Sequence, residues 1–359
     1  MEAMRLIIAG GGSGGHFFPA MAIINEIIKR KNIKYMYVGS ESGIESKKWS
    51  LPVSNRKLLA MKGIKNKSVL EKMDAILLLL NAIKESRSII KEFQPDAVLG
   101  VGGYASFPLV MTAVTMGIPS AIHEQNSVPG LANKLLSRFV RRVFISFEQS
   151  SRYLPYEKTV LTGLPIRYKP QKRVAGHSGK KTILVLGGSQ GAHQINELMV
   201  KALDSLIDMK DKVKFIHQTG IADQVYVEQT YKRYEFDARV FDFIDDMNVV
   251  FEQADLAISR AGASTLFELA AYGIPAILIP YPSAASDHQT LNANEVLQHG
   301  GAIVLPSTVK EPNLLTRAIH ELINDEERVK KMSMAMLKWA KPDSAVKIVD
   351  EMIALAGKV

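Results

Sequence analysis

The chain contains no cysteine, which excludes a disulfide framework, a thiolate metal site and a cysteine nucleophile together. The absence fits a reducing compartment. No apolar run approaches the roughly 18 residues that span a bilayer; the longest, Ala75–Leu80, has six residues. Met1 to Gly10 leads into a glycine loop instead of the long apolar core and small-residue cleavage site of a signal peptide. No Asp-x-Asp occurs anywhere, so an essential metal cofactor chelated between protein and diphosphate is not expected. The phosphate-loop pattern of nucleoside triphosphatases is missing from both glycine-rich loops, leaving triphosphate hydrolysis without support.

What remains is ordinary globular composition, 47% hydrophobic and 23% charged over 359 residues, long for one core and comfortable for two domains. The charge is segregated. Residues 1–160 carry 22 Lys and Arg against 12 Asp and Glu, net +10, while residues 161–359 carry 23 against 24, net −1. A polyanionic surface is therefore expected to meet the first half. Nucleic acid is not the expected partner, because no nucleic-acid motif or interleaved aromatic accompanies the charge.

The two halves echo each other. Arg5–Ala9 is a short apolar run ending in GGGSGGH, Gly10–His16, and a helical pattern follows from Pro19. Thr182–Leu186 ends in GGSQGAH, Gly187–His193, again followed by a helical pattern. Farther on, Pro95–Asn126 and Ala254–Tyr281 both read as apolar strand, small-residue loop, Ala-rich helix and Gly-Ile-Pro into another strand. Continuous β-rich runs alternating with helices predict parallel sheets covered on both faces. The expected fold class is α/β, with two doubly wound parallel-sheet, Rossmann-like domains facing a cleft. The expected boundaries are 1–162 and 163–340, with a linker near Leu161–Gly179 and a C-terminal helix over 341–359 returning to the first domain.

A glycine-rich turn between strand and helix lets backbone amides approach a phosphate at the helix N-terminus. Gly10–Gly15 contains the dinucleotide spacing G-x-G-x-x-G, yet the acid expected after the next strand has only Glu41 as a candidate. Doubling of the loop also argues against a dehydrogenase. In the second half, Ser189 with the amides after Gly187, and the loop Ala261–Thr265, both open helices suited to a diphosphate.

GGSGGHFFPA, GGYASFP, HEQN, GGSQGAHQIN, FIDDM, RAGASTLFE and DHQTLNAN follow one another over nearly the whole chain. In order and spacing they resemble the MurG family, the UDP-N-acetylglucosamine–N-acetylmuramyl-(pentapeptide) pyrophosphoryl-undecaprenol N-acetylglucosamine transferases of GT-B fold. Ser13 stands where Thr is common, and Leu164-Pro165 where Asn-Pro is common. The resemblance implies inverting transfer of N-acetylglucosamine from UDP-N-acetylglucosamine to the 4-hydroxyl of undecaprenyl-diphosphoryl-N-acetylmuramyl-pentapeptide (lipid I to lipid II), with no tightly bound cofactor. It implies a peripheral location on the cytoplasmic face of the bacterial plasma membrane, with other cell-wall synthesis proteins as partners.

The donor-binding residues it implies are Ser13, Gly14, Gly15, Asn126, Arg167, Ser189, Ile244, Ala263, Ser264, Thr265, Leu266, Phe267, Glu268 and Gln289. Among them Glu268 would accept the ribose hydroxyls, the Ile244 backbone would read uracil, and Gln289 with Asn126 would reach the sugar. For Glu268 the alternative is an acid favoured by the helix dipole. Inversion needs a base for the acceptor hydroxyl. His16, ending the first glycine loop, is the first candidate, as an unperturbed histidine titrates near neutrality; His123 and Glu124 of HEQN are the alternatives. His193 repeats His16 but is assigned a packing role.

Finally, Lys65, Lys67 and Lys72 flank Ile76, Leu77, Leu78, Leu79, Leu80 and Ile83, an apolar patch in a basic frame suited to an anionic membrane surface. The alternative is a helix packed on the sheet, although four consecutive leucines cannot all face one way. Enzymes that epimerise UDP-N-acetylglucosamine share paired doubly wound domains and remain a competing reading; they need acids around the sugar and have no use for this patch.

Overall fold

The computed structural model describes residues 3–46, 49–61, 69–167, 179–188, 190–284 and 287–357, with side chains except at 69–76. Ser189, Lys65 and Lys67 lie outside the described residues, as do the side chains of Lys72 and Ile76. The chain divides into two compact units, Met1–Arg167 with Lys341–Val359, and Tyr168–Ala340.

In the first unit β1 (Met4–Ala9), α1 (Gly14–Ile28), β2 (Ile33–Ser40), β3 (Arg56–Leu59), α2 (Val69–Phe93) and β4 (Ala97–Gly100) are followed by α3 (Ser106–Thr115), β5 (Ser120–Glu124), α4 (Leu131–Leu136), β6 (Arg142–Ile145) and β7 (Thr159–Leu161). The seven strands lie in the order β3-β2-β1-β4-β5-β6-β7, and every pairing is parallel. The second unit holds β8 (Lys181–Leu186), α5 (His193–Ala202), β9 (Val213–Gln218), α6 (Gln224–Arg233), β10 (Ala238–Phe241), α7 (Met247–Gln253) and β11 (Leu256–Ser259). It continues with α8 (Ala263–Ala271), β12 (Ala276–Leu278), α9 (His288–Gln298), β13 (Ala302–Val304), α10 (Asn313–Asn324) and α11 (Glu326–Trp339). Its six strands run β10-β9-β8-β11-β12-β13, again all parallel.

The uninterrupted apolar runs are explained by burial on both faces. In β1, Leu6 and Ile8 enter one core layer with Phe17 and Ile24, while Ile7 and Ala9 enter the other with Val38 and Leu109. Alternation of the pleat sends successive residues to opposite layers, so every position must be apolar.

The paired Gly-Ile-Pro motifs are helix stops. Gly117 has φ +76° and Gly273 φ +63°, and only glycine takes that left-handed conformation freely. At the end of α3, Ile118 N donates to Ala113 O and Gly117 N to Val114 O; at the end of α8, Ile274 N donates to Leu269 O and Gly273 N to Ala270 O. Both are Schellman motifs, and the proline that follows cannot extend a helix. The same local chemistry thus turns each Ala-rich helix into the next strand.

After Ala340 the chain rejoins the first unit through α12 (Ser344–Leu355). Ile348, Val349 and Met352 bury themselves in the layer containing Leu6 and Phe17. Arg30 pairs with Asp350 at 2.9 Å, and the Ser344 hydroxyl donates to Gly163 O at 2.8 Å.

Candidate active site

A doubly wound sheet binds ligands where neighbouring strands send their connections to opposite sides. In the first unit that point lies between β1 and β4, so the loop Gly10–Ser13 and the loop Val101–Ala105 are adjacent. The Ser13 hydroxyl and His16 Nδ1 are 3.1 Å apart, holding the imidazole in the first turn of α1. Gly102 makes room for the ring: a methyl group there would lie 2.6 Å from His16 Cδ2 and 2.9 Å from Nε2. Burial holds the His16 imidazole down to about 4, so it is unprotonated at neutral pH. The expectation of an unperturbed histidine is thereby corrected: the packed surroundings penalise the charged form.

The HEQN segment is buried as far as Gln125. The Gln125 amide donates to Val101 O at 2.8 Å and to His123 Nδ1 at 3.1 Å, which leaves His123 Nε2–H to donate to Gly163 O at 3.0 Å. Both ring nitrogens of His123 are therefore engaged, and burial lowers its pKa to about 4 against the opposing pull of the hydrogen bond to Gly163. Glu124 accepts from Asn126 N at 3.0 Å, Gly130 N at 3.1 Å and Asn133 Nδ2 at 2.8 Å. Burial pushes its carboxyl up, and those hydrogen bonds pull it back. These contacts spend Glu124 on ordering the loop ahead of α4. Asn126 follows it, half-buried, with its carbonyl accepting from Ser150. The Arg167 guanidinium sits 4.1 Å over the Phe18 ring, so it belongs with α1 in the first unit.

In the second unit the switch point falls between β8 and β11, flanked by the loop from Gly187 and the loop Arg260–Gly262. Gln218 at the end of β9 bridges two of the expected donor segments: its Nε2 donates to Gly188 O and its Oε1 accepts from Ile244 N, both at 2.9 Å. Ile244 is buried and its N–H is taken, which leaves the carbonyl as its polar group for a base. Ala263, Ser264 and Thr265 form the first turn of α8, which has no side-chain cap hydrogen bond and no acid in that turn, an arrangement compatible with an anion at this helix end. Leu266 and Phe267 are core residues, Phe267 stacking on Trp339 with ring centroids 4.5 Å apart. Glu268 is buried in the second turn of the helix. Gln289 Oε1 accepts from Tyr281 N at 2.9 Å, and Asn292 donates to Ala261 O at 3.2 Å, tying α9 to the α8 loop.

His193 departs from the expected packing role. Its side chain is 73% exposed, and Nδ1 lies 3.0 Å from an Asp223 carboxylate oxygen. The first residue of α5 projects from the sheet, so repetition of His16 in sequence is not repetition in burial.

Sequence inspection passed over Gly102, Gln125, Gln218 and Arg260. The first two lie inside motifs already notable for their glycines and charges. Gln218 has no local signal. Arg260 donates to Ile279 O and Pro280 O at 3.1 Å and to Gln194 Oε1 at 3.0 Å, joining strand ends that are distant in sequence.

On α2 the leucines separate. Leu77 and Leu80 are 60% and 57% exposed, whereas Leu78, Leu79 and Ile83 are half-buried and Ala82, Ser86 and Ile90 are buried. Lys84, Arg87 and Lys91 are exposed farther along the helix. Among the described residues no helix is long and apolar enough to cross a membrane, and no three His, Asp and Glu side chains gather as a metal site requires.

Comparison with known proteins now decides the family. Residues 6–145 match the glycosyltransferase family 28 N-terminal domain and residues 182–348 its C-terminal domain. The chain belongs to glycosyltransferase family 28. It is 42% identical to a UDP-N-acetylglucosamine–N-acetylmuramyl-(pentapeptide) pyrophosphoryl-undecaprenol N-acetylglucosamine transferase of Thermodesulfovibrio yellowstonii, covering 97% of each chain. To the enzyme of the same name from Geobacter sulfurreducens it is also 42% identical, over 99% of this chain and 100% of that one. The crystal structure of Acinetobacter baumannii MurG superposes with a TM-score of 0.80 at 28% identity, covering 98% of this chain and 99% of that one. A putative UDP-N-acetylglucosamine 2-epimerase of Listeria monocytogenes reaches a TM-score of 0.73 at 13% identity over 99% and 98% of the two chains, and so shares the family's fold.

Proposed function

We propose that the enzyme transfers N-acetylglucosamine from UDP-N-acetylglucosamine, with inversion, to the 4-hydroxyl of the muramyl sugar of undecaprenyl-diphosphoryl-N-acetylmuramyl-pentapeptide. The observation that carries this reading is the division of labour between two repeated units in a chain 42% identical to transferases of that name. The first unit presents a proton-accepting imidazole at its switch point, and the second presents a glycine loop, an uncapped helix N-terminus and a buried glutamate.

His16 is the base. With Nδ1–H donating to the Ser13 hydroxyl oxygen, Nε2 carries the lone pair that takes the acceptor proton as the hydroxyl oxygen attacks the anomeric carbon. Gly102 and Gln125 hold the ring's surroundings, and Glu124 and His123 position the HEQN loop. The bond from the anomeric carbon to the diphosphate breaks, and the amides opening α8, with those after Gly187 and the Arg167 guanidinium, stabilise the charge that UDP carries away. Glu268 takes the ribose hydroxyls, the Ile244 carbonyl reads uracil, and Gln289 with Asn126 addresses the sugar.

The decisive assay incubates the enzyme with UDP-N-acetylglucosamine, with and without a short polyprenyl-diphosphoryl acceptor. UDP release should require the acceptor. Conversion of the donor alone to its 2-epimer would sink the transferase reading in favour of the one that shares its fold.

The acceptor's lipid is reached at the membrane through α2. Leu77 and Leu80 on its outward face precede the cations Lys84, Arg87 and Lys91. Each basic group near an anionic surface contributes about 1 kcal/mol. Leu77→Glu with Leu80→Glu should abolish sedimentation with phosphatidylglycerol vesicles, since two charges would have to enter the apolar boundary, while turnover of a short-chain soluble acceptor persists. Vesicle binding unchanged by this pair would place the lipid contact elsewhere on the first unit. That location corresponds to a peripheral enzyme of the cytoplasmic membrane face.

A further inference from the structure

The first glycine loop has the spacing that cradles phosphate, yet an acidic side chain already fills its crook. Glu45, in the short turn Ile44–Ser46, is completely buried. Its two carboxylate oxygens accept from Gly12 N at 3.0 and 2.9 Å, and one of them also accepts from Ser40 N at 2.6 Å. A methyl group at Gly11, Gly39 or Gly43 would collide with this side chain, so a glycine of the first loop, one at the end of β2 and one in the turn after it are all shaped around it. Arg56 binds the Glu45 carbonyl oxygen at 2.7 Å, bringing a cation alongside. The helix that follows, α1, has no acid in its first turn and no side-chain cap, because Ser13 is turned to His16 instead. Glu45 therefore ties, from beyond β2, the residue that precedes the Ser13 start of α1.

The second loop differs at the equivalent place. There the end of β9 contributes Gln218, a neutral amide that grips Gly188 through its carbonyl oxygen and takes none of the described amide donors of that loop. Loops that repeat in sequence thus differ in occupancy: one is filled by the protein's own carboxylate, the other is tied from behind.

We propose that Glu45 is a positioning residue: from beyond β2 its carboxylate fixes the first glycine loop, and with it His16, by taking the Gly12 amide. This inference rests on His16 being the base.

The test is chemical rescue. Glu45→Ala opens a carboxylate-sized space lined by the N–H groups of Gly12 and Ser40. Its turnover should fall roughly tenfold or more, as small misplacements of a catalytic group do, with the KM for UDP-N-acetylglucosamine within about twofold of the unsubstituted enzyme, since Ile244 and Glu268, proposed for its uracil and ribose, lie in the other unit. Sodium formate should restore much of the lost turnover and raise the melting temperature of this variant, and do neither for the unsubstituted enzyme. Glu45→Gln fills the space without the charge; its turnover should also fall, and formate should not restore it. Formate that neither stabilises nor reactivates a folded Glu45→Ala would overturn the proposal, as would unsubstituted turnover in Glu45→Gln. Should Glu45→Ala not fold, the Glu45→Gln turnover decides. If His16 is not the base, formate still stabilises Glu45→Ala while His16→Ala keeps its activity, which separates the two failures.

Discussion

His16→Ala should lower turnover by about a hundredfold or more while leaving UDP affinity unchanged, because a general base acts in the transition state and the residues proposed for uracil and ribose, Ile244 and Glu268, lie in the other unit. The pH profile tests the same assignment more sharply. Burial lowers His16 to about 4, so the proton-accepting form persists well below neutrality. The acid limb of kcat/KM should therefore fall through pH about 4, and not through the value near 6.5 of an unperturbed imidazole. The same shift has a consequence for stability. An unfolded histidine binds its proton near 6.5 and the folded one only near 4, so stability declines as pH falls between these values, and the profile is to be read where circular dichroism shows the native fold. An equal loss in Glu124→Ala, with His16→Ala nearly active, would transfer the base to the carboxylate. The geometry argues otherwise, since three donors already occupy Glu124.

Glu268→Gln should weaken UDP binding by roughly 1–3 kcal/mol, a factor of about 5 to 150, the usual loss when hydrogen bonds to a charged acceptor are removed. Glutamine is the informative replacement. Glu268 is buried in α8, and alanine would add a cavity to the loss of charge. Titration of UDP by calorimetry measures the first effect, and thermal unfolding monitors the second. Unchanged UDP affinity with a lowered melting temperature would make Glu268 a structural acid of α8.

Much of the fold was legible in the chain because its signals are local. The apolar runs at Arg5–Ala9 and Thr182–Leu186 are required by burial on both faces of a parallel sheet, and Gly117 and Gly273 end their helices through a backbone conformation that glycine alone adopts freely. Repetition of these units in the chain implies two doubly wound halves. The positions of His16, Glu124, Glu268 and Gln289 beside glycine loops and helix starts are readable from the chain in the same way, while their roles belong to the proposal.

Other features depended on contacts that no local pattern encodes. The pKa of His16 follows from how tightly its surroundings close, and sequence proximity to a glycine loop carries no measure of that. His193 repeats His16 in sequence yet stands exposed against Asp223, because the two loops differ in what packs on them. Among the described leucines of α2, Leu77 and Leu80 face outward while Leu78 and Leu79 are half-buried, a choice made by the angle at which the helix lies on its neighbours. Gln218 and Arg260 act by joining strand ends far apart along the chain. The sequence by itself therefore determined the two units and set the candidate residues beside glycine loops and helix starts. Tertiary packing alone decided protonation, exposure and the filling of one glycine loop by Glu45, because each depends on the summed distances to residues brought close only by folding.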